Sequence, residues 1–131
     1  MASPLLCPCS SGVVYEQCCG RIHDGLLDAP TAGRLMRARY VAYSLADELF
    51  LLRTWHVSTR PVKVEFDPDL RWVGLDVVET IGGGLLDLEG TVEFVAHYEQ
   101  AGRHGSLQEL SRFVRSDAHW VYLDAVDAEL S

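Results

Sequence analysis

The chain has 131 residues, of which 48% are hydrophobic and 9% aromatic, enough for one packed domain with at most a small appendage. No stretch approaches the ~20 consecutive apolar residues of a membrane span, and the first residues lack the basic and apolar regions of a secretory signal. The net charge is −8, and residues 64–131 carry fourteen acids against four bases, which disfavours binding to the phosphate backbone of nucleic acids. We expect a cytoplasmic globular protein.

The four cysteines of the chain lie within thirteen residues, as Cys7, Cys9, Cys18 and Cys19. Two close pairs of soft ligands joined by a short loop can surround a tetrahedral zinc ion. In a reducing cytoplasm clustered cysteines favour a metal, while two disulfides joining one pair to the other are the alternative. Four thiolates leave no coordination position for a reactive water, so the pattern predicts a structural Zn²⁺ site and not a hydrolytic one.

Two helices are predicted after this region. Apolar residues recur at three- and four-residue intervals over 31–46, which predicts a helix with one buried face, capped by Asp28 or Thr31. Asp47 is predicted to cap a second, short helix that ends at the turn 58–61. We expect this second helix to carry Leu49, Leu52 and Trp55 on one side.

The remainder of the chain is predicted to form strands over 70–81, 86–99 and 119–124, with a turn at 82–84. Apolar and acidic residues alternate in 86–99, as in a sheet with one solvated face, whereas 105–116 suits a helix as well as a strand. Helices followed by antiparallel strands indicate an α+β domain with helices packed on one face of a curved sheet. The residues expected to share one face of the first strand are Val73, Leu75, Val77 and Ile81. Those expected on the face of the second strand opposite its acidic residues are Leu86, Leu88, Val92, Phe94, Ala96 and Tyr98.

The cysteine segment 7–20 reads Cys-Pro-Cys-Ser-Ser-Gly-x-x-Tyr-x-x-Cys-Cys-Gly and resembles the SEC-C zinc motif, which occurs at the C-terminus of the SecA translocation ATPase and in many other bacterial proteins. The family usually has glycine where this chain has Ser10. The resemblance implies that all four cysteines bind Zn²⁺. It also implies a protein partner for the module, because the motif of SecA engages a chaperone.

Motifs in the rest of the chain resemble the YchJ-like family of bacterial proteins. They include Leu-Met-Arg-Ala-Arg-Tyr at 35–40, Leu-Arg-Thr-Trp-His at 52–56 and Glu-x-Ser-Arg-Phe at 109–113. The resemblance implies a SEC-C module over 1–27 and a nuclear-transport-factor-2-like domain over 28–131, a cone in which a curved antiparallel sheet wraps helices around a cavity. It also favours a strand over 105–116. Because this fold hosts enzymes, binding modules and assembly domains alike, the activity stays open.

One group of residues could bind a small acidic or aromatic ligand at the mouth of this cavity. Positions three apart share a helical face, arginine holds anions bidentately, and histidine exchanges protons near neutral pH. The same side chains also suit a structural role, as core aromatics and as partners of the acidic sheet. The group consists of Arg37, Tyr40, Tyr43, Trp55, His56 and Arg60.

Two further titratable residues lie in the predicted strands. Asp76 shares a strand face with Trp72 and Val78, and it could act as a base with a raised pKa if that face lines the cavity. His97 is expected on the solvated face of its strand.

Two classes of function follow from these patterns. The first is a non-enzymatic binding or adaptor protein, in which the zinc module docks a protein partner and the cone cavity holds a ligand or the sheet a second copy. The second is a small isomerase, dehydratase or hydrolase that uses His56 or Asp76 with Arg37 or Arg60 holding an anion. Nucleic-acid contact through the zinc module and the basic segment 31–63 is a weaker third option.

Overall fold

The chain begins with a small helical region that carries the four cysteines. The following three-quarters of the chain forms two helices and a four-stranded antiparallel sheet. The computed structural model describes residues 5–130, and for 127–130 it describes the backbone alone. No helix in this part of the chain is long and apolar enough to cross a membrane. The elements are a 3₁₀ turn (Tyr15–Gln17), α1 (Cys19–His23), α2 (Ala32–Ser44), α3 (Glu48–Arg53), β1 (Leu70–Gly82), β2 (Glu89–Gln100), β3 (Arg103–Ser116) and β4 (His119–Leu130).

Both predicted helix starts are confirmed. The Thr31 side chain accepts a hydrogen bond from the backbone N–H of Arg34 at 3.1 Å, and the Asp47 carboxylate accepts one from the N–H of Phe50 at 3.2 Å. These side chains satisfy N–H groups that the first helical turn leaves without partners.

The side of α3 that carries Leu49, Leu52 and Trp55 is not the side that the structure buries. Phe50 and Leu51 are buried, whereas Leu49 is 81% exposed. The helix has six residues, and Phe50 packs its ring against His23 of the cysteine region. Contacts to a distant segment therefore select the buried side of this short helix, and its own periodicity does not.

The sheet has the simple order β1-β2-β3-β4, and every neighbouring pair is antiparallel. The strand expected over 105–116 is confirmed within β3, while β2 begins at Glu89 and not at position 86. Leu86 and Leu88 lie in the preceding loop, where they are 95% and 75% exposed. The Arg115 side chain donates 2.7 Å hydrogen bonds to the carbonyls of Leu85 and Asp87. In a strand these carbonyls would instead accept hydrogen bonds from the backbone of a neighbouring strand.

Two register shifts in β1 change which of its residues face the core. They lie between Trp72 and Gly74 and between Val77 and Glu79, and each extra residue inverts the alternation of side chains. The expectation that the apolar residues of β1 share one face is therefore wrong. Leu75 is buried and Val77 packs against the core, whereas Val73 and Ile81 are 42% and 62% exposed.

The core is continuous from the cysteine region to the sheet. The buried cluster includes all four cysteines and Ile22, runs through α2, and reaches Phe113 and Trp120 on the last two strands. A module of about 20 residues is too small for an apolar core of its own, so it shares the core of the larger domain. The helix α2 lies between them and contacts both.

Candidate functional site

The backbone around the cysteines brings two distant pairs together. The N–H of Cys7 donates to the carbonyl of Val13 at 2.8 Å, and the N–H of Ser10 donates to the carbonyl of Cys7 at 3.2 Å. These bonds close a tight turn that carries Cys7 and Cys9. The second pair enters from the other side, with Cys18 after the 3₁₀ turn and Cys19 at the start of α1.

The geometry of the four thiols fits a tetrahedral metal ion. Their sulfur atoms all lie within 4.8 Å of one another, and the four residues are buried, free cysteines. The sulfur of Cys18 is 3.6 Å from that of Cys9 and 4.0 Å from that of Cys19. Zinc–sulfur bonds of about 2.3 Å in a tetrahedron place the sulfurs about 3.8 Å apart. The cluster is therefore compatible with metal binding.

Electrostatics also favours a cation at the centre of the cluster. Hydrogen bonds with Cys7 and Cys9, followed by burial and the neighbouring charges, raise the pKa of the Cys19 thiol. Thiolates held this close together repel one another, so the cluster without a cation opposes ionisation of Cys19. A divalent ion removes this conflict, because it binds the thiolate form and releases the protons.

The glycine that ends the cysteine motif is required by close packing. A Cβ atom on Gly20 would lie 2.7 Å from the Tyr15 carbonyl oxygen and 2.9 Å from the Tyr15 ring. The absence of a side chain lets α1 approach the 3₁₀ turn closely enough to bring Cys18 and Cys19 to the first pair.

Polar contacts anchor the cysteine region on α2. The Arg37 guanidinium donates a 2.7 Å hydrogen bond to the carbonyl of Cys9. The His23 ring connects the Tyr15 hydroxyl, 2.7 Å from Nδ1, with the Ala38 carbonyl, 2.8 Å from Nε2. Arg37 was expected at the cavity mouth, and the structure places its side chain at this junction.

A cavity of about 260 Å³ lies between α2 and the sheet. Of the six expected ligand residues, Tyr40 and Tyr43 line this cavity and the other four do not. The helix lines it with Met36, Arg39, Tyr40 and Tyr43, and the sheet contributes Trp72, Phe94, Glu109, Ser111, Phe113 and Tyr122 among others.

Arg39 is the buried cation beside this cavity, with 5% of its surface exposed. Its Nη1 atom donates to the Leu51 carbonyl at 2.8 Å and to the Thr54 hydroxyl at 2.7 Å. The guanidinium carbon lies 4.9 Å from the centre of the Trp55 ring and 4.6 Å from that of Tyr122. Burial lowers the pKa of Arg39 to about 10, and the neighbouring tyrosines and Glu109 oppose this change.

The carboxylate of the cavity belongs to Glu109, which is half-buried on β3. The Ser111 hydroxyl donates a hydrogen bond to Glu109 Oε2. Burial raises the pKa of Tyr43 and Tyr122, and the charge of Glu109 adds to the shift in both. The cavity thus combines aromatic walls with one positive charge, one negative charge and several hydroxyl groups.

The remaining expected ligand residues lie behind or beside the cavity. Trp55 packs its ring edge-on against Tyr122, with centroids 5.1 Å apart. The His56 Nδ1 atom lies 2.7 Å from the Ser58 hydroxyl, and Arg60 donates two hydrogen bonds to the Trp55 carbonyl. Arg60 lines a separate, polar cleft. The six residues therefore do not surround one site.

Asp76 does not face the cavity. Its carboxylate is exposed and lies 2.8 Å from Nε2 of His97 on the neighbouring strand. The register shift after Trp72 turns Trp72 inward and Asp76 outward, so the expectation that these two share a face is wrong. His97 lies on the solvated face, as predicted.

Comparison with known proteins agrees with both parts of the fold. Residues 31–125 match the family profile of the YchJ middle NTF2-like domain, and residues 5–21 match the SEC-C motif. The chain belongs to the YchJ-like family. A UPF0225 protein of Streptomyces avermitilis is 53% identical over 92% of this chain and 84% of its own, and one of Streptomyces coelicolor is 50% identical over 90% and 92%.

Two solved structures resemble this YchJ-like chain over most of its length. The solution structure of a SEC-C motif containing protein from Rhodopseudomonas palustris has a TM-score of 0.78 at 29% identity and covers 94% of this chain and 96% of its own. The crystal structure of a SEC-C motif containing protein from Psychrobacter arcticus has a TM-score of 0.74 at 30% identity, covering 95% and 83%.

Sequence reasoning missed Arg39 and Glu109 in this YchJ-like chain, although both carried a signal. Arg39 lies four residues after Leu35 and three before Ala42, which places it on the apolar side of α2. Glu109 alternates with Ser111 and Phe113, so it shares a strand face with a core aromatic residue. A charged residue on an otherwise apolar face indicates a buried polar group, and such groups need explicit partners.

Proposed function

We propose that this is a zinc-stabilised, non-enzymatic binding protein of the bacterial cytoplasm. In this proposal one structural Zn²⁺ ion holds the N-terminal module, and the cavity between α2 and the sheet holds a small molecule without transforming it. The observation that carries the proposal is the convergence of four buried thiols within 4.8 Å of one another.

A structural role for the ion is supported by its surroundings. All four candidate ligands are cysteines, and a fourfold thiolate site is closed to water. Structural zinc contributes about 10–16 kcal/mol to the folding of small modules, which a segment without its own core needs. Arg37 and His23 connect this segment to α2, so the same ion helps to position the helix that lines the cavity.

A binding role, as opposed to a catalytic one, is supported by the cavity lining. Neither His56 nor Asp76, the two bases expected from the sequence, lines the cavity. The Arg39 guanidinium donates to Leu51 and Thr54, which holds it in place. Aromatic walls with a few polar groups are typical of sites that bind small molecules.

Elemental analysis of protein purified under reducing conditions tests the zinc site. We expect about one zinc ion per chain in the wild type and in Glu16→Gln, an exposed change within the module. Cys18→Ser should lose most of the metal, because it removes one ligand of four. After chelation, amide resonances of residues 5–23 should lose dispersion. A metal-free protein that keeps these resonances dispersed would contradict the proposal.

A further inference from the structure

The volume of the cavity limits how much of a ligand it can surround. An enclosed apolar cavity of about 150 Å³ accommodates benzene, so a volume of about 260 Å³ corresponds to a molecule of roughly ten heavy atoms. The walls favour a flat shape. Tyr40 packs edge-on against Trp72, and Phe113 packs edge-on against Tyr122, so ring faces and edges surround the space from two sides. Offset and edge contacts with a further aromatic ring are favourable in such surroundings.

The charges of the cavity favour a neutral ligand. Arg39 is buried, and none of the carboxylates described in the structure lies within 4.0 Å of it. Glu109 lines the same cavity and acts on Arg39 through space. An anion that approached Arg39 would also approach the negative charge of Glu109, which repels it. A cation that approached Glu109 would likewise be repelled by Arg39. Because burying an uncompensated charge is costly, a ligand without net charge fits best.

The hydrogen-bonding groups give this neutral ligand an orientation. A carboxylate accepts about four hydrogen bonds, and the Ser111 hydroxyl supplies one to Glu109. Among the side chains that the structure describes, this is the one hydrogen bond to the carboxylate, so Glu109 has capacity for a donor that enters the cavity. The Arg39 Nη1 atom donates to Leu51 and Thr54, which uses two of the five guanidinium N–H groups, and the guanidinium lies over the Trp55 and Tyr122 rings. We therefore assign the hydrogen bond of the ligand to the acceptor on β3.

The geometry points to a neutral, flat aromatic molecule of roughly ten heavy atoms that lies among the aromatic walls and donates one hydrogen bond to Glu109. Phenolic and indole-like compounds belong to this class. The inference rests on the binding function proposed above and names the chemical class of its ligand.

Four probes that share a naphthalene body separate the contributions of shape, charge and hydrogen bonding. They are naphthalene, 2-naphthol, 2-naphthoate and naphthylmethylammonium, and their binding to the zinc-loaded protein is measured by calorimetry and by the fluorescence of Trp72 and its neighbours. We expect 2-naphthol to bind about tenfold or more tightly than the other three, because a hydrogen bond to a charged acceptor adds this much.

Substitution of the acceptor checks the assignment to Glu109. Glu109→Gln keeps the shape and removes the charge, so the advantage of 2-naphthol over naphthalene should shrink and 2-naphthoate should bind more tightly than to the wild type. Asp76→Asn, a matched change on the opposite face of the sheet, should leave all four affinities unchanged. If Glu109→Gln does not fold, the order of the four affinities for the wild type tests the inference by itself.

The outcomes distinguish this inference from the broader proposal. Equal binding of naphthalene and 2-naphthol, or preferred binding of either charged probe, would overturn the ligand class while leaving a binding cavity. Failure of all four probes to bind would overturn the ligand class and remove the support for a binding cavity. Loss of the zinc stoichiometry would count against the proposed function alone.

Discussion

At the scale of single residues, the turn between the cysteine pairs contains an avoidable strain. Ser10 has a φ of 68°, the left-handed conformation that costs a residue with a Cβ about 1 kcal/mol relative to glycine. The side chain is exposed. We expect Ser10→Gly to raise the free energy of unfolding of the zinc-loaded protein by about 0.5–1 kcal/mol, because the strain that it relieves exceeds the freedom that it adds to the unfolded chain. The measurement is urea denaturation at fixed free zinc.

The neighbouring serine provides the control. The Ser11 hydroxyl lies 3.3 Å from the sulfur of Cys18 and accepts a hydrogen bond from the N–H of Val13. Ser11→Gly should therefore lower stability, since it removes these contacts and adds freedom to the unfolded chain. If both substitutions changed stability in the same direction, the explanation by backbone strain would be wrong.

At the scale of elements, the hairpin between β1 and β2 depends on a close approach of two backbones. A Cβ atom on Gly90 would lie 2.4 Å from the nitrogen and 2.5 Å from the Cα of Gly83. Backbone atoms cannot move aside as a flexible side chain can. We expect Gly90→Ala to lower the free energy of unfolding by about 1–3 kcal/mol, the usual effect of overpacking, as measured by urea denaturation.

A second glycine of the same strand pair is the matched control. At Gly74 the nearest atom to an added Cβ is 3.7 Å away, on the His97 ring, which is an ordinary contact. Gly74→Ala should leave stability unchanged or raise it by up to about 1 kcal/mol, because glycine is unfavourable inside a strand. A loss as large as that of Gly90→Ala would show that any side chain on this hairpin is harmful.

At the scale of the whole molecule, burial of tyrosines predicts a loss of stability in alkali. Burial raises the pKa of Tyr15, Tyr40, Tyr43 and Tyr122, whereas unfolded tyrosine ionises near pH 10. Above about pH 10 the unfolded chain loses these protons first, so the native state binds more protons and stability falls as pH rises. The pKa of Arg39 is lowered to about 10, so this residue loses its proton in the native state before it does in the unfolded chain. Arg39 therefore offsets the loss of stability by up to one proton.

Denaturation curves measured between about pH 9 and 11 test this balance. Tyr122→Phe should reduce the slope of stability against pH by up to one proton, because one raised pKa is removed. Stability that stays constant or increases across this range would show that the tyrosines ionise equally in both states.

Much of the fold could be predicted because its causes are local. Thr31 and Asp47 cap their helices through N–H groups three residues away, and the spacing of the cysteines alone indicates that the pairs converge. The antiparallel order of the sheet follows from consecutive hairpins. The shares of the chain assigned to the two modules, 1–27 and 28–131, remain a prediction.

The candidate cavity could be predicted only in part, because its members depend on register and packing. Tyr40 and Tyr43 follow from the period of a helix. The inward face of Trp72 depends on a register shift, and the place of Arg37 depends on the carbonyl of Cys9, 28 positions away in the chain. A pattern of residue types contains no information about either.

By itself the sequence determined the chemistry of the N-terminal module, since four thiols in thirteen residues can satisfy one metal ion wherever the rest of the chain lies. Only the tertiary structure decided which charges share the cavity. Arg39 and Glu109 are 70 positions apart, and they line one cavity because α2 packs against the sheet. The free energy of a buried charge depends on its neighbours in space and not on those in the chain.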